Sequence, residues 1–350
     1  MNDALDFSTN ERGIRQGIRA QPTQELIAFI RSAYDLDPSS SFTDLGGGYN
    51  LNLLVSYRGK PHVVRIYLPS VSMERFEGIH QAIMALHGKV PCAGLLPTCD
   101  GQTHCAWEDR LITVEEFVPS NGTMDTWERL TMGLPLLGQI HSIFSSLSLH
   151  QDVAYKPFAN HIPAETALTM TRKGVARMRA WTNITEYEQL VAATAEELAE
   201  RLDKLEQRLP CQLVHGDFWD NNVLFQDDRV VMVGDFDFMG MRPRIDDVAL
   251  TFYFADAKYT LFTPDNGNRF IQFRKLLQAY NEGLDMPLTA DERAALPLAM
   301  ARQPLWGIGG WVTRLEDSDA AREYASDMLW YVKWGLSIVD SLDEWREAFA

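Results

Sequence analysis

The sequence predicts an α+β protein with two lobes: a small β-rich N-terminal lobe (N-lobe) and a large, mainly helical C-terminal lobe (C-lobe). The chain has 350 residues, about the length of two domains. Runs of β-forming residues dominate before Pro119, and after it apolar residues recur at helical spacing. One β-rich island, residues 211–240, interrupts the helical part. We therefore expect the N-lobe in residues 1–118 and the C-lobe in residues 119–350.

The N-lobe pattern contains a β-hairpin, a further strand and two helices. Two β-rich runs flank the turn Arg58-Gly59-Lys60, which is typical of a hairpin. A glycine triplet, Gly46 to Gly48, precedes this hairpin. The predicted helices cover residues 22–36 and 73–87, and the predicted strands cover residues 51–57, 62–68 and 111–118.

The C-lobe pattern is helical on both sides of the β-rich island. Inside the island, two short apolar runs flank the pair Asp227-Asp228, which predicts a second hairpin. The predicted helical regions cover residues 124–148, 162–208, 268–282 and 290–346, and the predicted strands cover residues 223–226 and 230–234.

The composition is acidic, with 32 Lys and Arg against 48 Asp and Glu and a net charge of −16. Nucleic acid and anionic lipid are therefore not expected as partners, because phosphate contacts need clustered Lys and Arg. The acidity is compatible with a cationic substrate or with solubility alone. No run reaches the ~18 apolar residues of a membrane span, and the N-terminal segment is too polar for a secretory leader. With only four cysteines, we expect a cytoplasmic protein without a disulfide framework.

Aspartates are concentrated in the β-rich island and just after it. Six of them lie beside apolar segments, where an unpaired carboxylate is costly to bury. We therefore expect these carboxylates to have a cation, a proton or a hydrogen-bond donor as partner. They are Asp217, Asp220, Asp235, Asp237, Asp246 and Asp247.

The order of polar residues in the island carries the chemistry. The pattern His215-x-Asp217 is followed by Asn222, five residues after Asp217, then by a hydrophobic hairpin and Asp235. It resembles the catalytic core of protein kinases and their small-molecule relatives, and the resemblance implies a protein-kinase-like fold. The His-Gly-Asp opening is similar to that of aminoglycoside phosphotransferases, type II homoserine kinases and choline-kinase-like enzymes. GQIHSI at 138–143 and the segment 289–306 extend the resemblance.

The resemblance implies a role for each residue of this pattern. Asp217, in a catalytic loop at 215–222, would be the catalytic base, and His215 would brace that loop. Asn222 and Asp235 would be magnesium ligands, with Asp235 in a metal-binding segment at 234–247. Asp247, twelve residues after Asp235, would cap the catalytic loop.

In the N-lobe, Arg65 lies where protein kinases have the strand lysine that pairs with the nucleotide phosphates. Gln81 lies where the partner glutamate belongs, and Glu77 or Glu74 is the alternative. The triplet Gly46, Gly47 and Gly48 fits a glycine-rich turn over the phosphates or a plain loop. By position, Glu116 and Val118 would pair with the adenine edge through their backbone.

These patterns predict an ATP-dependent O-phosphotransferase that uses Mg²⁺ and phosphorylates a hydroxyl of a small molecule. The acceptor classes are an aminoglycoside, an amino-alcohol or a homoserine-like amino acid, bound by the helical regions 151–208 and 260–350. Asp220 and Asp237 are the candidate acceptor-binding residues, which favours a cationic acceptor. The alternative is a catalytically silent nucleotide-binding or scaffold relative. The sequence does not distinguish ATP from GTP and leaves the oligomeric state open.

Overall fold

The structure is a computed structural model that describes residues 19–47, 50–69, 71–147, 161–259 and 266–350. The chain divides into two compact units, Met1–His80 with Cys92–Pro119 and Gln81–Pro91 with Ser120–Ala350. The first unit contains a six-stranded antiparallel sheet and the second is mainly helical. The predicted α+β architecture, with a β-rich lobe followed by a helical lobe, is confirmed. No helix in the described ranges is long and apolar enough to cross a membrane.

The first unit is built on a sheet with the strand order β1-β2-β3-β6-β4, in which β5 also pairs with β6. Neighbouring strands are antiparallel throughout. The elements that begin in this unit are α1 (Gln24–Tyr34), β1 (Phe42–Gly46), β2 (Leu51–Tyr57), β3 (Lys60–Ile66), α2 (Met73–Leu86), β4 (Leu95–Leu96), β5 (Cys105–Trp107) and β6 (Arg110–Glu116). The division between the two units falls within α2.

The β2–β3 hairpin has a tighter turn than the sequence predicted. Arg58 and Gly59 both have positive φ angles, 50° and 79°, as a two-residue type I′ turn requires. Lys60 therefore already pairs with Tyr57, and β3 begins at Lys60 instead of residue 62. The turn sets the register in which β2 and β3 pair. The alternation of apolar side chains along β2 is unchanged by the tighter turn.

The core of the first unit lies between α1 and one face of the sheet. Leu51, Leu53 and Val55 alternate along β2 toward this face and are fully buried. Leu26 and Ile30 of α1 pack in the same cluster. Successive side chains of a strand point to opposite faces, so the pattern of alternate apolar residues specifies which face α1 covers.

In the described ranges, the second unit contains seven further long helices, a short helix at Leu342–Phe349, a π-helix at Gly307–Val312 and the β-rich island. Two predicted helical regions are each divided. Region 162–208 breaks before Thr185, whose side chain begins a new helix with a capping box, and region 290–346 is divided before Asp317, another N-cap. The helices are α3 (Trp127–Phe144), α4 (Ala164–Arg179), α5 (Glu186–Leu205), α6 (Ile245–Tyr259), α7 (Asn266–Glu282), α8 (Ala290–Arg302), α9 (Ser318–Asp340) and α10 (Leu342–Phe349).

The island forms two small antiparallel sheets. In one, β8 (Gln212–Val214) pairs with β11 (Gly240–Arg242), and in the other β9 (Val223–Gln226) pairs with β10 (Arg229–Val233) and β7 (Gly122–Thr123). The predicted catalytic loop, residues 215–222, lies between β8 and β9, so strand pairing holds both of its ends. The predicted metal-binding segment, residues 234–247, follows β10 and contains β11 and the start of α6.

Replacement of Ile30 by Ala should lower the stability of the first unit by about 2–5 kcal/mol, because the side chain is fully buried in the α1–sheet core. Thermal or urea unfolding measures the loss. Ile271→Ala is the matched control, since Ile271 is an exposed residue of α7 and its truncation should cost less than about 0.5 kcal/mol. Equal destabilisation by the two variants would contradict the assignment of this core.

Candidate active site

The catalytic loop begins where β8 ends. Gly216 has a φ of 82°, and a Cβ at this position would collide with the carbonyl oxygen of Phe238. Only glycine fits there, because other residues rarely adopt this conformation and the space is closed. The turn at Gly216 brings Asp217 out of β8 into a buried position. The glycine of the His-Gly-Asp motif is therefore required by the local backbone.

Asn222 fixes the carboxylate of Asp217. Its side-chain Nδ2 donates to the backbone carbonyl of Asp217 and to Asp217 Oδ2, both at 2.8 Å. Asn222 ends a short 3₁₀ helix, Asp220–Asn222, which gives the loop the curvature that brings the two side chains together. The spacing of five residues thus corresponds to a direct contact in the structure.

Asp235 is attached to the same loop through the residue before it. Gly234 donates its N–H to the carbonyl of Asn222 at 2.9 Å and accepts a hydrogen bond from His215 Nε2 at 3.0 Å. Asp235 has a left-handed backbone, with φ 61° and ψ 54°, and begins the 3₁₀ helix Phe236–Phe238. Asp217, Asn222 and Asp235 therefore belong to one hydrogen-bonded unit of backbone and side chains.

His215 connects the two segments and has a defined tautomer. Its Nδ1 accepts the backbone N–H of Asp217 at 3.2 Å, so the proton of the neutral ring is on Nε2 and is donated to Gly234. The ring is fully buried beside Phe236, with centroids 4.5 Å apart. Burial lowers the pKa of His215, against the opposing charges of Asp247 and Asp235. The neutral form that this geometry needs is the form that burial favours.

Asp247 holds the loop from the other side. Its carboxylate accepts the N–H of Gly216, at 2.9 and 3.1 Å to the two oxygens, and it also receives His141 Nε2 at 3.1 Å. Burial alone would raise the pKa of Asp247, but the hydrogen bond and charge of His141 hold it below its usual value. A carboxylate that stays ionised at the start of α6 therefore anchors Gly216.

The donor set fits a magnesium ion that completes its coordination with phosphate and water. Among the described residues, no three His, Cys, Asp or Glu side chains are grouped to hold a metal ion. Because Asn222 Nδ2 is used on Asp217, the amide orientation leaves Asn222 Oδ1 on the side away from that carboxylate. Magnesium prefers few protein oxygens together with phosphate oxygens and water, and Asn222 and Asp235 offer such a pair.

The two candidate acceptor residues differ in burial. Asp220 is half-buried at the start of the 3₁₀ helix of the catalytic loop. Asp237 is buried within the 3₁₀ helix that follows Asp235. Both side chains therefore belong to the segments that contain Asp217 and Asp235.

Sequence reasoning missed three side chains that support this loop. Arg242 Nη1 donates to the carbonyl of Gly216 at 3.4 Å, and Thr251 Oγ1 donates to the carbonyl of Phe218. Tyr280 is hydrogen-bonded to His141 Nδ1 at 2.8 Å. The one sequence signal for this support was the histidine of the GQIHSI segment, His141. Arg242, Thr251 and Tyr280 follow no spacing rule that links them to the loop.

In the first unit, the glycine turn connects β1 to β2. Gly46 and Gly47 have φ angles of 92° and 118°, and a Cβ on Gly47 would lie 2.7 Å from both Asn50 O and Asn52 Nδ2. Asn52 Nδ2 also donates to the carbonyl of Gly46 at 3.2 Å, which tightens the turn. Gly48, the third predicted glycine, lies outside the described residues.

The other predicted nucleotide-binding residues of this unit lie on or just after neighbouring strands. Arg65 of β3 is paired in register with Asn52 of β2 and Thr113 of β6, and its guanidinium lies 5.5 Å from the ring centre of Tyr67. Glu116 ends β6, and its N–H donates to the carbonyl of Gly94 at 2.8 Å. The remaining predicted residues are Val118, just after β6, and the exposed glutamates Glu74 and Glu77 of α2; Gln81 belongs to the second unit.

Comparison with known proteins agrees with the motifs. The sequence model of a family described as "Phosphotransferase enzyme family" matches residues 42–272, about two-thirds of the chain. No curated protein sequence matches the chain significantly.

Solved structures show the same fold at low identity. An amicoumacin kinase in complex with AMP-PNP, Ca²⁺ and amicoumacin is 16% identical, with 88% of this chain and 93% of that chain covered and a TM-score of 0.65. A microcompartment-associated aminopropanol kinase is 17% identical over 91% and 98% of the two chains, with a TM-score of 0.67. An aminoglycoside phosphotransferase from Alicyclobacillus acidocaldarius is 15% identical over 94% and 98%, with a TM-score of 0.63. The prediction of a small-molecule kinase is confirmed, and the chain belongs to the phosphotransferase enzyme family.

Proposed function

We propose that this protein transfers the γ-phosphate of ATP to a hydroxyl of a small, positively charged acceptor, with Asp217 as the catalytic base. The observation that carries the proposal is the hydrogen-bonded unit of Asp217, Asn222 and Asp235. Asn222 orients the carboxylate of Asp217, and Gly234 ties the backbone next to Asp235 to the same loop, which supports phosphoryl transfer with a metal ion.

In the proposed reaction, the acceptor oxygen forms a bond to the γ-phosphorus while the bond from that phosphorus to the β–γ bridging oxygen breaks. The hydroxyl proton goes to Asp217, and ADP leaves with the bridging oxygen. The contact with Asn222 Nδ2 orients the carboxylate before the acceptor arrives. Orientation of the reacting groups is the main protein contribution in this chemistry, because the phosphoryl group itself needs no covalent help.

Asn222 Oδ1 and the carboxylate of Asp235 would hold the magnesium ion. When bound, magnesium supplies positive charge that offsets the charge on the phosphate oxygens. His215 and Gly234 keep the backbone of these two residues at a fixed separation. This arrangement supports the assignment of Asn222 and Asp235 as metal ligands.

The first unit would hold the nucleotide. The positive φ angles of Gly46 and Gly47 support a turn whose backbone N–H groups approach the phosphates, and we propose the same phosphate-binding role for Gly48. Arg65 supplies a fixed positive charge for the phosphates. In the segment after β6, the N–H groups of Glu116 and Phe117 are used within the unit, so the adenine edge would pair with the carbonyl of Glu116 and the N–H of Val118.

An amine-bearing acceptor is favoured by the carboxylates around Asp217. Asp220 and Asp237 add negative charge to the segments that contain Asp217 and Asp235, and like charges repel unless a cation is near. Magnesium offsets part of this charge, and an ammonium group on the acceptor would offset more. Among similar structures, the aminopropanol kinase and an ethanolamine kinase from Plasmodium vivax are named for acceptors of this kind, which supports the proposal.

Replacement of Asp217 by Asn should lower kcat by about 10²–10⁴, because an amide keeps the shape of the side chain but does not accept the hydroxyl proton. Nucleotide affinity and the melting temperature should stay near those of the parent. Steady-state kinetics and calorimetric nucleotide titration measure both. Asp228→Asn is the control, since Asp228 is exposed in the β9–β10 turn, and near-normal kcat for Asp217→Asn would overturn the assignment.

Replacement of Asp235 by Ala should remove most of the gain in nucleotide affinity that magnesium gives, by about tenfold or more, because a metal ligand is lost. Calorimetry with ATP, with and without Mg²⁺, measures the difference directly. Asp228→Ala should keep the full magnesium effect. If Asp235→Ala kept it as well, Asp235 would have a structural role and the metal assignment would be wrong.

Replacement of Asp237 by Asn should raise KM for a cationic acceptor and leave KM for ATP nearly unchanged. KM is measured for two acceptors of similar size, aminopropanol and propanediol. Because only aminopropanol carries an ammonium group, the comparison separates recognition of charge from recognition of shape. The parent enzyme should prefer the amine, and added salt should reduce that preference by screening. A preference for the neutral diol that is indifferent to salt would contradict the cationic acceptor.

A further inference from the structure

A line of buried hydrogen bonds runs from helix α7 to the catalytic loop. The hydroxyl of Tyr280 lies 2.8 Å from His141 Nδ1, and His141 Nε2 lies 3.1 Å from Asp247 Oδ2. Asp247 in turn accepts the N–H of Gly216, the residue before Asp217. Tyr280 and His141 are completely buried, so no water competes for these contacts.

The participants come from separate elements of the second unit. His141 lies near the end of α3, Asp247 lies in the first turn of α6, and Tyr280 lies near the end of α7. Tyr280 is 139 residues from His141 in sequence and has no place in the motifs of the β-rich island. Helix α7 therefore reaches the catalytic loop through one hydroxyl group.

The chemistry of the groups sets the direction of the bonds. An ionised carboxylate only accepts, so His141 carries a proton on Nε2. A hydroxyl both donates and accepts, so Tyr280 bonds Nδ1 whether or not that nitrogen carries a proton. Burial raises the pKa of Tyr280, so this hydroxyl keeps its proton.

We propose that Tyr280 is a positioning residue for phosphoryl transfer, because its hydroxyl fixes the orientation of the His141 ring. The ring then directs Nε2–H at Asp247, which holds Gly216 and, through it, Asp217 in place. The inference rests on the proposed function, since it takes Asp217 as the catalytic base. Tyr280 touches no substrate and acts only through His141 and Asp247.

A different orientation of the ring shows why the hydroxyl matters. Rotation of the ring would take Nε2–H away from Asp247 Oδ2, which it meets at 3.1 Å, and would leave that buried oxygen without its donor. Asp247 would then move or take up a proton, and either change weakens its bond to Gly216. Gly216 has a positive φ angle, and its carbonyl accepts a hydrogen bond from Arg242. A shift of the Gly216 backbone therefore changes the direction of the Asp217 side chain.

The test is Tyr280→Phe, which removes the hydroxyl and keeps the ring. We expect kcat to fall by about 10- to 100-fold, as small displacements of a reacting group do, while KM for ATP changes less than about twofold. Nitrogen-15 NMR of labelled histidines reports the Nε2–H of His141 and the rate at which its proton exchanges with water. The parent should show a slowly exchanging Nε2–H, and Tyr280→Phe should show faster exchange, because the ring is no longer held on Asp247.

The matched control is Tyr34→Phe, which removes another buried tyrosine hydroxyl, hydrogen-bonded to the carbonyl of Ile112 at 3.2 Å in the first unit. It should cost stability but leave kcat and the His141 signals unchanged. A second variant, His141→Gln, removes the ring that Tyr280 orients, so Tyr280→Phe added to it should lower kcat by less than about twofold.

Each outcome separates the positioning role from a structural one. The proposal is overturned if Nε2 of His141 carries no proton in the parent protein, a result that needs no variant to fold. It is also overturned if Tyr280→Phe changes the exchange of Nε2–H with kcat unchanged, or lowers kcat with that exchange unchanged. Failure of the proposed function is seen separately, as normal kcat in Asp217→Asn with the parent Nε2–H signal of His141 intact.

Discussion

The backbone of Gly216 is the constraint on which the rest of the site depends. Its positive φ angle makes the chain turn out of β8, and both of its polar groups are held by side chains from other elements. Asp247 of α6 accepts the N–H, and Arg242 at the end of β11 donates to the carbonyl. Asp217 is the next residue, so the direction in which its side chain leaves the backbone is set by the contacts of Gly216.

The start of α6 makes this anchor rigid. Asp246 and Asp247 are adjacent and buried, and each carboxylate has its own cationic or hydrogen-bonding partners. Burial alone would raise the pKa of Asp246, but Arg302 at 2.6 Å and His161 at 2.9 Å lower it to about 2. Because removing one member of such a group leaves a buried charge without compensation, the first turn of α6 resists displacement. A firm helix start is what allows Asp247 to hold a loop.

The fold class could be predicted from the sequence, and the candidate residues of the site could be singled out, because both depend on local patterns. Alternation and helical spacing identified the two lobes, and the spacing of five residues between Asp217 and Asn222 corresponds to a direct hydrogen bond. Helix boundaries were harder to predict, because the break before Thr185 depends on one capping side chain. The Tyr280–His141 and His141–Asp247 contacts join residues 139 and 106 positions apart, which no local pattern encodes.

This division between local and distant contacts fits a fold that persists at low sequence identity. Structures at 15–17% identity keep the fold, although few of their side chains agree with this chain. The loop of this chain needs only a glycine with a positive φ, a carboxylate, an amide and an acceptor for one backbone N–H. Distant helices meet that last need by supplying a buried group that keeps the acceptor oriented. In this chain, the group is the His141 ring, and its orientation depends on a hydroxyl from α7.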